Sequence, residues 1–227
     1  MSEASGRGVF VTFEGGEGAG KSTQVARLAE RLRRGGREVV TTREPGGSPR
    51  AEQIRTALLA GAAKPYGPFA EALLFSAARL DHLDTLIRPA LARGAVVLCD
   101  RFADSTRAYQ GAAGGVDPEG VAALERIVVG RTRPDLTLIL DLPAEAGLAR
   151  ARRRDLGSAR GPDRFEAEAL SFHQRLREAF RAIAAAEPRR CALIDAAGDP
   201  DAVAAAVRAT VAGRLPGLLP QERSDAA

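Results

Sequence analysis

The sequence predicts an α/β protein: a five-stranded parallel sheet with helices on both faces, built as one domain. Three observations carry this expectation. Five short apolar runs, at 9–13, 38–42, 95–99, 136–142 and 192–195, alternate with segments whose apolar residues recur at helical spacing. The first run leads straight into Gly15–Ser22, Gly-Gly-Glu-Gly-Ala-Gly-Lys-Ser, which matches the phosphate-binding pattern G-x-x-x-x-G-K-[ST] between a strand and a helix. Neither a linker nor an internal repeat divides the 227 residues, so one domain is expected over 1–227, with a core at 8–213 and a poorly ordered tail at about 216–227.

Each element follows from local signals. Val9 to Phe13 is β-branched or aromatic throughout, as a buried strand requires, and Val25, Leu28, Ala29 and Leu32 then line one face of a helix that Gly35 and Gly36 end. Glu38 to Thr42 is a second strand, Arg43 to Gly47 a polar loop, and Pro49 opens a helix to about Leu59. After a loop at Gly61 to Gly67, the spacing of Ala72, Phe75, Leu80, Leu83 and Ile87 predicts a long helix from Pro68, kinked or broken near Pro89 and ended by Gly94. Ala95 to Cys99 is a third strand ending at Asp100, and Asp117-Pro118-Glu119 caps another helix. Leu136 to Leu142 is the fourth strand. A helix through Arg153, a glycine- and arginine-rich loop, and a helix from about Glu166 to Ala186 follow; Ala192 to Asp195 closes the sheet, and Asp199-Pro200 begins the last helix.

The bulk composition narrows the partners. A formal charge of +4 favours anions, and a triphosphate satisfies that as well as a nucleic acid does. Aromatic residues make up only 4% and Trp is absent, so stacking platforms for single-stranded nucleic acid are scarce. No apolar run has the length of a membrane helix and Met1 to Gly8 lacks a signal-peptide core, so the expected location is cytoplasmic, with no membrane partner. Cys99 and Cys191 lie in apolar strand-like runs, as buried reduced thiols do.

The Gly15–Ser22 segment carries the first chemistry. Gly15, Gly16, Gly18 and Gly20, with Glu17 and Ala19 between them, let the backbone curl so that N–H groups face phosphate oxygens at the start of a helix. Lys21 then reaches the β- and γ-phosphates and Ser22 ligates Mg²⁺. Lys21 and Lys64 are the only lysines in a chain otherwise served by arginine, so a lysine at the motif position is not compositional noise. Guanine-reading Asn-Lys-x-Asp segments are absent, which removes the G-protein reading.

Four further segments choose the acceptor: Thr42-Arg43-Glu44-Pro45-Gly46-Gly47, Leu73-Leu74-Phe75-Ser76-Ala77-Ala78-Arg79, Asp100-Arg101-Phe102 and Ala108-Tyr109-Gln110-Gly111. With Glu17 inside the phosphate loop, these resemble the thymidylate kinase family, in order and from about Val9 to the last helix. The resemblance implies a P-loop nucleoside monophosphate kinase fold and phosphoryl transfer from Mg²⁺-ATP to dTMP, giving dTDP for dTTP synthesis. By that resemblance Phe75 stacks on thymine, Arg79 on the same helix face donates to a pyrimidine carbonyl, and Arg43 and Arg101 grip the acceptor phosphate. Glu17 meets the sugar 3′-hydroxyl, Tyr109 crowds the 2′ position, Thr106 and Gln110 contact the base edge, and Asp100 joins Ser22 in the Mg²⁺ shell.

An ionised phosphate acceptor needs no strong general base, and neither His82 nor His173 falls in a motif. Catalysis is therefore assigned to Lys21, Arg101, Glu17 and a further arginine. The phosphate loop has Gly18 where some members of the family carry an arginine, so the resemblance moves that charge to a lid at about 150–165. Arg152, Arg154 and Arg160 are the choices there, and Arg154 leads by position. Adenine is expected near Ala196 to Pro200, and the family implies a homodimer with no nucleic-acid partner. Two other readings stay open at this point: another P-loop nucleotide or deoxynucleoside kinase, and a nucleic-acid-stimulated ATPase.

Overall fold

The computed structural model describes residues 7–156 and 165–220. Five parallel strands, β1 (Phe10–Glu14), β2 (Val39–Arg43), β3 (Val96–Asp100), β4 (Leu136–Asp141) and β5 (Cys191–Asp195), form one sheet in the order β2-β3-β1-β4-β5. β1 pairs with β3 from Phe10 opposite Val97 to Phe13 opposite Asp100, and with β4 from Val11 opposite Leu136 to Glu14 opposite Ile139. Strands covered on both faces read as continuous apolar runs, which is why β1, β3 and β4 are almost wholly buried.

The helices are α1 (Lys21–Arg34), α2 (Pro49–Leu59), α3 (Gly67–His82), α4 (Arg88–Ala92), α5 (Ala103–Thr106), α6 (Pro118–Val128), α7 (Ala144–Leu156), α8 (Leu170–Ala186) and α9 (Pro200–Arg214). On one side of the sheet Val25, Leu28 and Leu32 of α1 and Val203, Val207 and Val211 of α9 pack against Val11, Phe13, Leu136 and Leu138. On the other side, Leu83, Ile87 and Leu91 meet Phe10, Val97 and Phe102, while Leu176, Phe180 and Ile183 of α8 meet Ile139 and Tyr109. Among the described residues no helix is long and apolar enough to cross a membrane. Cys99 and Cys191 are free and buried.

The fold departs from the sequence expectation in four places. The interruption expected near Pro89 is a π-helical turn over Leu83–Ile87 that carries the chain from α3 into α4; Pro89 has no N–H and crowds the carbonyl four residues back, and a widened turn accommodates it. Leu80, expected on the buried face of that long helix, is 44% exposed. The predicted helix at about Glu166 starts instead at Leu170, after a turn closed by Glu168 N–H to Phe165 O. The start of the tail expected to be poorly ordered is packed, since Leu218 is buried in the core beside α1 and α9 and Arg37 donates to Gly217 O at 2.5 Å; the rest of that tail, 221–227, lies outside the described residues.

Candidate active site

The site stands at the carboxyl ends of β1, β2 and β3, the end where open parallel sheets bind ligands. Gly15, Gly18 and Gly20 adopt φ of 133°, 65° and 88°, and Gly20 is the residue from which α1 departs. A side chain fits at neither Gly15, whose Cβ would lie 2.4 Å from Leu140 O, nor Gly18, whose Cβ would lie 2.1 Å from Gly147 O in the first turn of α7. The contact is mutual, since a Cβ on Gly147 would lie 2.3 Å from Glu17 O. The phosphate loop thus rests backbone to backbone on the helix that carries Arg150 and Arg154.

Lys21 is buried and folds back over its own loop, donating from Nζ to Gly16 O at 2.8 Å and Gly15 O at 3.1 Å. Burial, with the neighbouring Arg101 cation, lowers its ammonium to about 8, while Glu17, Asp100 and Glu14 pull the other way. Ser22 Oγ donates to Asp100 Oδ2 at 2.5 Å, so the two residues assigned to a metal stand side by side at the mouth of the loop. Two hard oxygen donors beside a phosphate cradle suit Mg²⁺, which takes its remaining ligands from phosphate and water.

Arg101 follows β3 with a φ of 68°, a left-handed conformation rare for a residue with a side chain. It is held there by its N–H to Phe13 O at 2.8 Å and by Cys99 Sγ on its carbonyl at 3.0 Å. The twist turns its guanidinium inward to Gly15 O at 3.1 Å and Glu17 Oε1 at 2.8 Å, with its carbon 4.9 Å from the Tyr109 ring centre. Tyr109 donates its hydroxyl to the same Glu17 oxygen at 2.5 Å. Burial alone would raise the Glu17 carboxyl, yet Arg101, Lys21 and the Tyr109 hydroxyl hold it down at about 2. Glu17 is therefore an anion that only accepts hydrogen bonds at neutral pH.

Two adjoining cavities meet at this pair. One is lined by Phe75, Arg79, Thr106, Tyr109 and Gln110, with Phe165 opposite Phe75 at 6.2 Å between ring centres. The other is lined by residues 17–23, Arg43, Asp100, Arg150 and Arg154. Glu17, Glu44, Arg55 and Arg101 face both. Lys21, Arg43, Arg55, Arg101, Arg150 and Arg154 thus face one cleft, an arrangement suited to a polyanion.

Inside the first cavity Arg79, only 3% exposed, donates from Nε to Glu44 Oε2 at 2.7 Å and from Nη2 to Phe102 O and Thr106 Oγ1, each at 3.1 Å. Thr106, read from sequence as a base-edge contact, has its hydroxyl engaged in fixing Arg79. Gln110 Nε2 faces Glu71 Oε2 at 3.4 Å. Arg43 at the end of β2 is exposed and pairs with Glu52 at 3.0 Å. Arg154 is exposed on α7 and pairs with Glu166, while Arg160 and Arg164 lie outside the described residues.

Sequence reasoning passed over four residues. Arg55 donates to Pro45 O at 2.8 Å, beside the cis Glu44–Pro45 peptide, and faces both cavities; nothing distinguishes it in an arginine-rich chain. Glu44 stood inside a quoted segment without a role. Arg150 donates to Ala196 O at 3.0 Å and Ala197 O at 3.1 Å, tying α7 to the loop where adenine was expected. Glu14, fully buried at the end of β1, accepts from Phe102 N–H at 2.7 Å and Ser105 Oγ at 2.6 Å; burial and the nearby Asp104 push its carboxyl up.

A sheet in the order β2-β3-β1-β4-β5 whose first strand feeds a phosphate loop, with a second cavity sharing that loop's carboxylate, defines a P-loop nucleoside monophosphate kinase. Comparison with known proteins narrows the class. The family model described as Thymidylate kinase matches residues 13–207. The chain is 58% identical over 216 residues to a thymidylate kinase of Bradyrhizobium diazoefficiens, covering 95% of this chain and 93% of that one. It is 58% identical over 209 residues to one from Caulobacter vibrioides, covering 92% and 98% respectively. A crystal structure of thymidylate kinase from Ehrlichia chaffeensis superposes with a TM-score of 0.71 at 34% identity, covering 91% of this chain and 99% of that chain. The chain belongs to the thymidylate kinase family.

Proposed function

We propose that this chain transfers the γ-phosphoryl group of ATP to the 5′-phosphate of dTMP, and that the Glu17–Arg101 pair joining the two cavities is where donor and acceptor meet. An oxygen of the acceptor phosphate attacks the γ-phosphorus in line, the bond from that phosphorus to the β–γ bridging oxygen breaks, and dTDP and ADP leave. The oxygen is already ionised at neutral pH, so the residues supply position and charge rather than a base. Lys21 exchanges its two loop carbonyls for phosphate oxygens. Ser22 and Asp100 would hold Mg²⁺, which when bound neutralises charge on the donor phosphates. Arg101 and Arg43 take the acceptor phosphate, and Arg154 supplies charge to the transferring group.

On the acceptor side Glu17 accepts from the sugar 3′-hydroxyl, and Tyr109, fixed by its own bond to Glu17, fills the 2′ face. Phe75 stacks on the base and Arg79 donates to its carbonyl. The enzyme is read as a single cytoplasmic domain that works as a homodimer. Support for assembly comes from Phe69, Leu73 and Leu80 on α3 and Ile127 on α6, which leave an apolar face open to solvent. ADP formation from Mg²⁺-ATP with dTMP, dUMP, dCMP and dGMP in turn is the direct test. The expected outcome is the highest kcat/KM on dTMP, and preference for a cytidine or guanosine monophosphate overturns the reading.

A further inference from the structure

His82 belongs to no phosphate or base contact, yet it is completely buried at the last position of α3, one turn beyond Arg79. Both of its ring nitrogens are used. Nδ1 meets Glu44 Oε1 at 3.1 Å and Nε2 meets Thr42 Oγ1 at 2.7 Å. Glu44 is already bound through its other oxygen to Arg79 Nε at 2.7 Å, and as the carboxylate partner of a guanidinium it accepts on both oxygens. Nδ1 is therefore the donor to Glu44, and Nε2 shares a hydrogen bond with the Thr42 hydroxyl.

The arrangement is sealed. A Cβ on Gly47, whose φ is 85°, would lie 2.3 Å from His82 Nε2 and 2.5 Å from Thr42 Oγ1, so the loop backbone closes directly over that contact. At the other end Arg79, which lines the acceptor cavity, is pinned at Nε by Glu44 and at Nη2 by Phe102 O and Thr106 Oγ1, which leaves Nη1 outside these bonds. A planar guanidinium fixed at two of its nitrogens has its remaining donors aimed. Glu44 can aim it only while its own carboxylate is kept from rotating, and the bond that stops rotation comes from His82. Glu44 and Arg79 line the cavity, whereas His82 does not.

We infer that His82 is a positioning residue for acceptor selection: through Glu44 it fixes the plane of Arg79, and so determines whether a carbonyl or an amino group is accepted at the base edge. The inference rests on the reading of the cavity as a dTMP site. It predicts that loosening His82 weakens acceptor binding and discrimination while leaving the phosphate loop and Lys21, neither of which His82 or Glu44 bonds, as they were.

The test separates the two ring contacts. His82→Asn reproduces a donor in the place of Nδ1, His82→Gln reproduces a group in the place of Nε2, and His82→Leu removes both. With dTMP and dCMP as acceptors, His82→Gln and His82→Leu should raise KM for dTMP roughly tenfold and narrow the dTMP over dCMP preference by a similar factor. His82→Asn should stay within roughly threefold of the parent, and KM for ATP should hold in all three. Thr42→Val, which loosens the ring from its far side, should move dTMP KM in the same direction by a smaller factor and serves if His82→Leu does not fold. Unchanged acceptor KM and preference in the Gln variant, equal losses in Asn and Leu, or parallel rises in ATP KM would overturn the role of His82. A parent enzyme that does not prefer dTMP would instead overturn the functional reading itself.

Discussion

Helices α1 and α3 have comparable lengths and opposite logic. α1 buries Val25, Leu28, Ala29 and Leu32 against the sheet and keeps Arg33 and Arg34 in solvent, as an amphipathic helix over a core should. α3 turns Glu71, Ser76, Arg79 and His82 inward and leaves Phe69, Leu73, Leu74 and Leu80 exposed. Burying charge without partners costs several kcal/mol, so a polar inner face persists only where every group is answered and where something polar is to be bound. Arg79, Glu44 and His82 answer one another, and Arg79 and Glu44 line the cavity beyond them. α1 is thus an amphipathic helix laid over the core, whereas α3 turns a polar face to the cavity and an apolar one to solvent.

The comparison breaks most decisively at the start of α1. Lys21→Ala should lower kcat by about 10³ or more while leaving the melting temperature within a few degrees, because it removes charge from the phosphates and no core contact. Steady-state turnover beside a thermal melt checks both halves, and a fully active variant would end the kinase reading. The same lysine predicts a pH limb. Its ammonium is lowered from 10.5 to about 8 in the empty site, so the proton is held below that pH and lost as pH rises through it; kcat/KM for ATP should fall above about 8.

A third helix enters the comparison through Arg154. Arg154→Ala should cut kcat by roughly 10² to 10³, short of the largest effects of arginine fingers, with little change in dTMP KM. Single-turnover rates read this directly, and unchanged turnover moves the role to Arg152 or Arg160. The smallest effect on turnover belongs to the outer face of α3. Leu73→Asp should abolish dimer formation in sedimentation while shifting kcat by no more than about threefold, because Leu73 is exposed and lines neither cavity. A dimer that survives the substitution places the interface elsewhere.

These two helices also mark how far the sequence could be read. The five strands, their order of appearance and the phosphate loop were legible because buried strands and glycine turns leave signals within a few residues. Phe75, Arg79, Arg101 and Tyr109 stood out because they fall in recognisable segments, and the structure brings all four to one cavity. Periodicity failed on Leu80 because it assumes that apolar means inward, which α3 reverses. Arg55 and Glu44 carried no readable role, since what marks them is the Pro45 carbonyl and the Arg79 guanidinium, neither fixed by local spacing. The packed end at Leu218 was missed because a short apolar pair beyond the last helix looks like any tail until its partners in α1 and α9 are known.

The backbone contact between Gly18 and Gly147 bears on how such a chain can change over generations. An arginine at position 18 would need the first turn of α7 to withdraw, and a side chain at position 147 would push on Glu17, so either substitution alone strikes main chain rather than a movable side chain. The two glycines behave as a single heritable unit. Under the proposed role of Arg154, a lineage with this pair keeps its catalytic arginine off the phosphate loop because the alternative lies beyond a damaging intermediate.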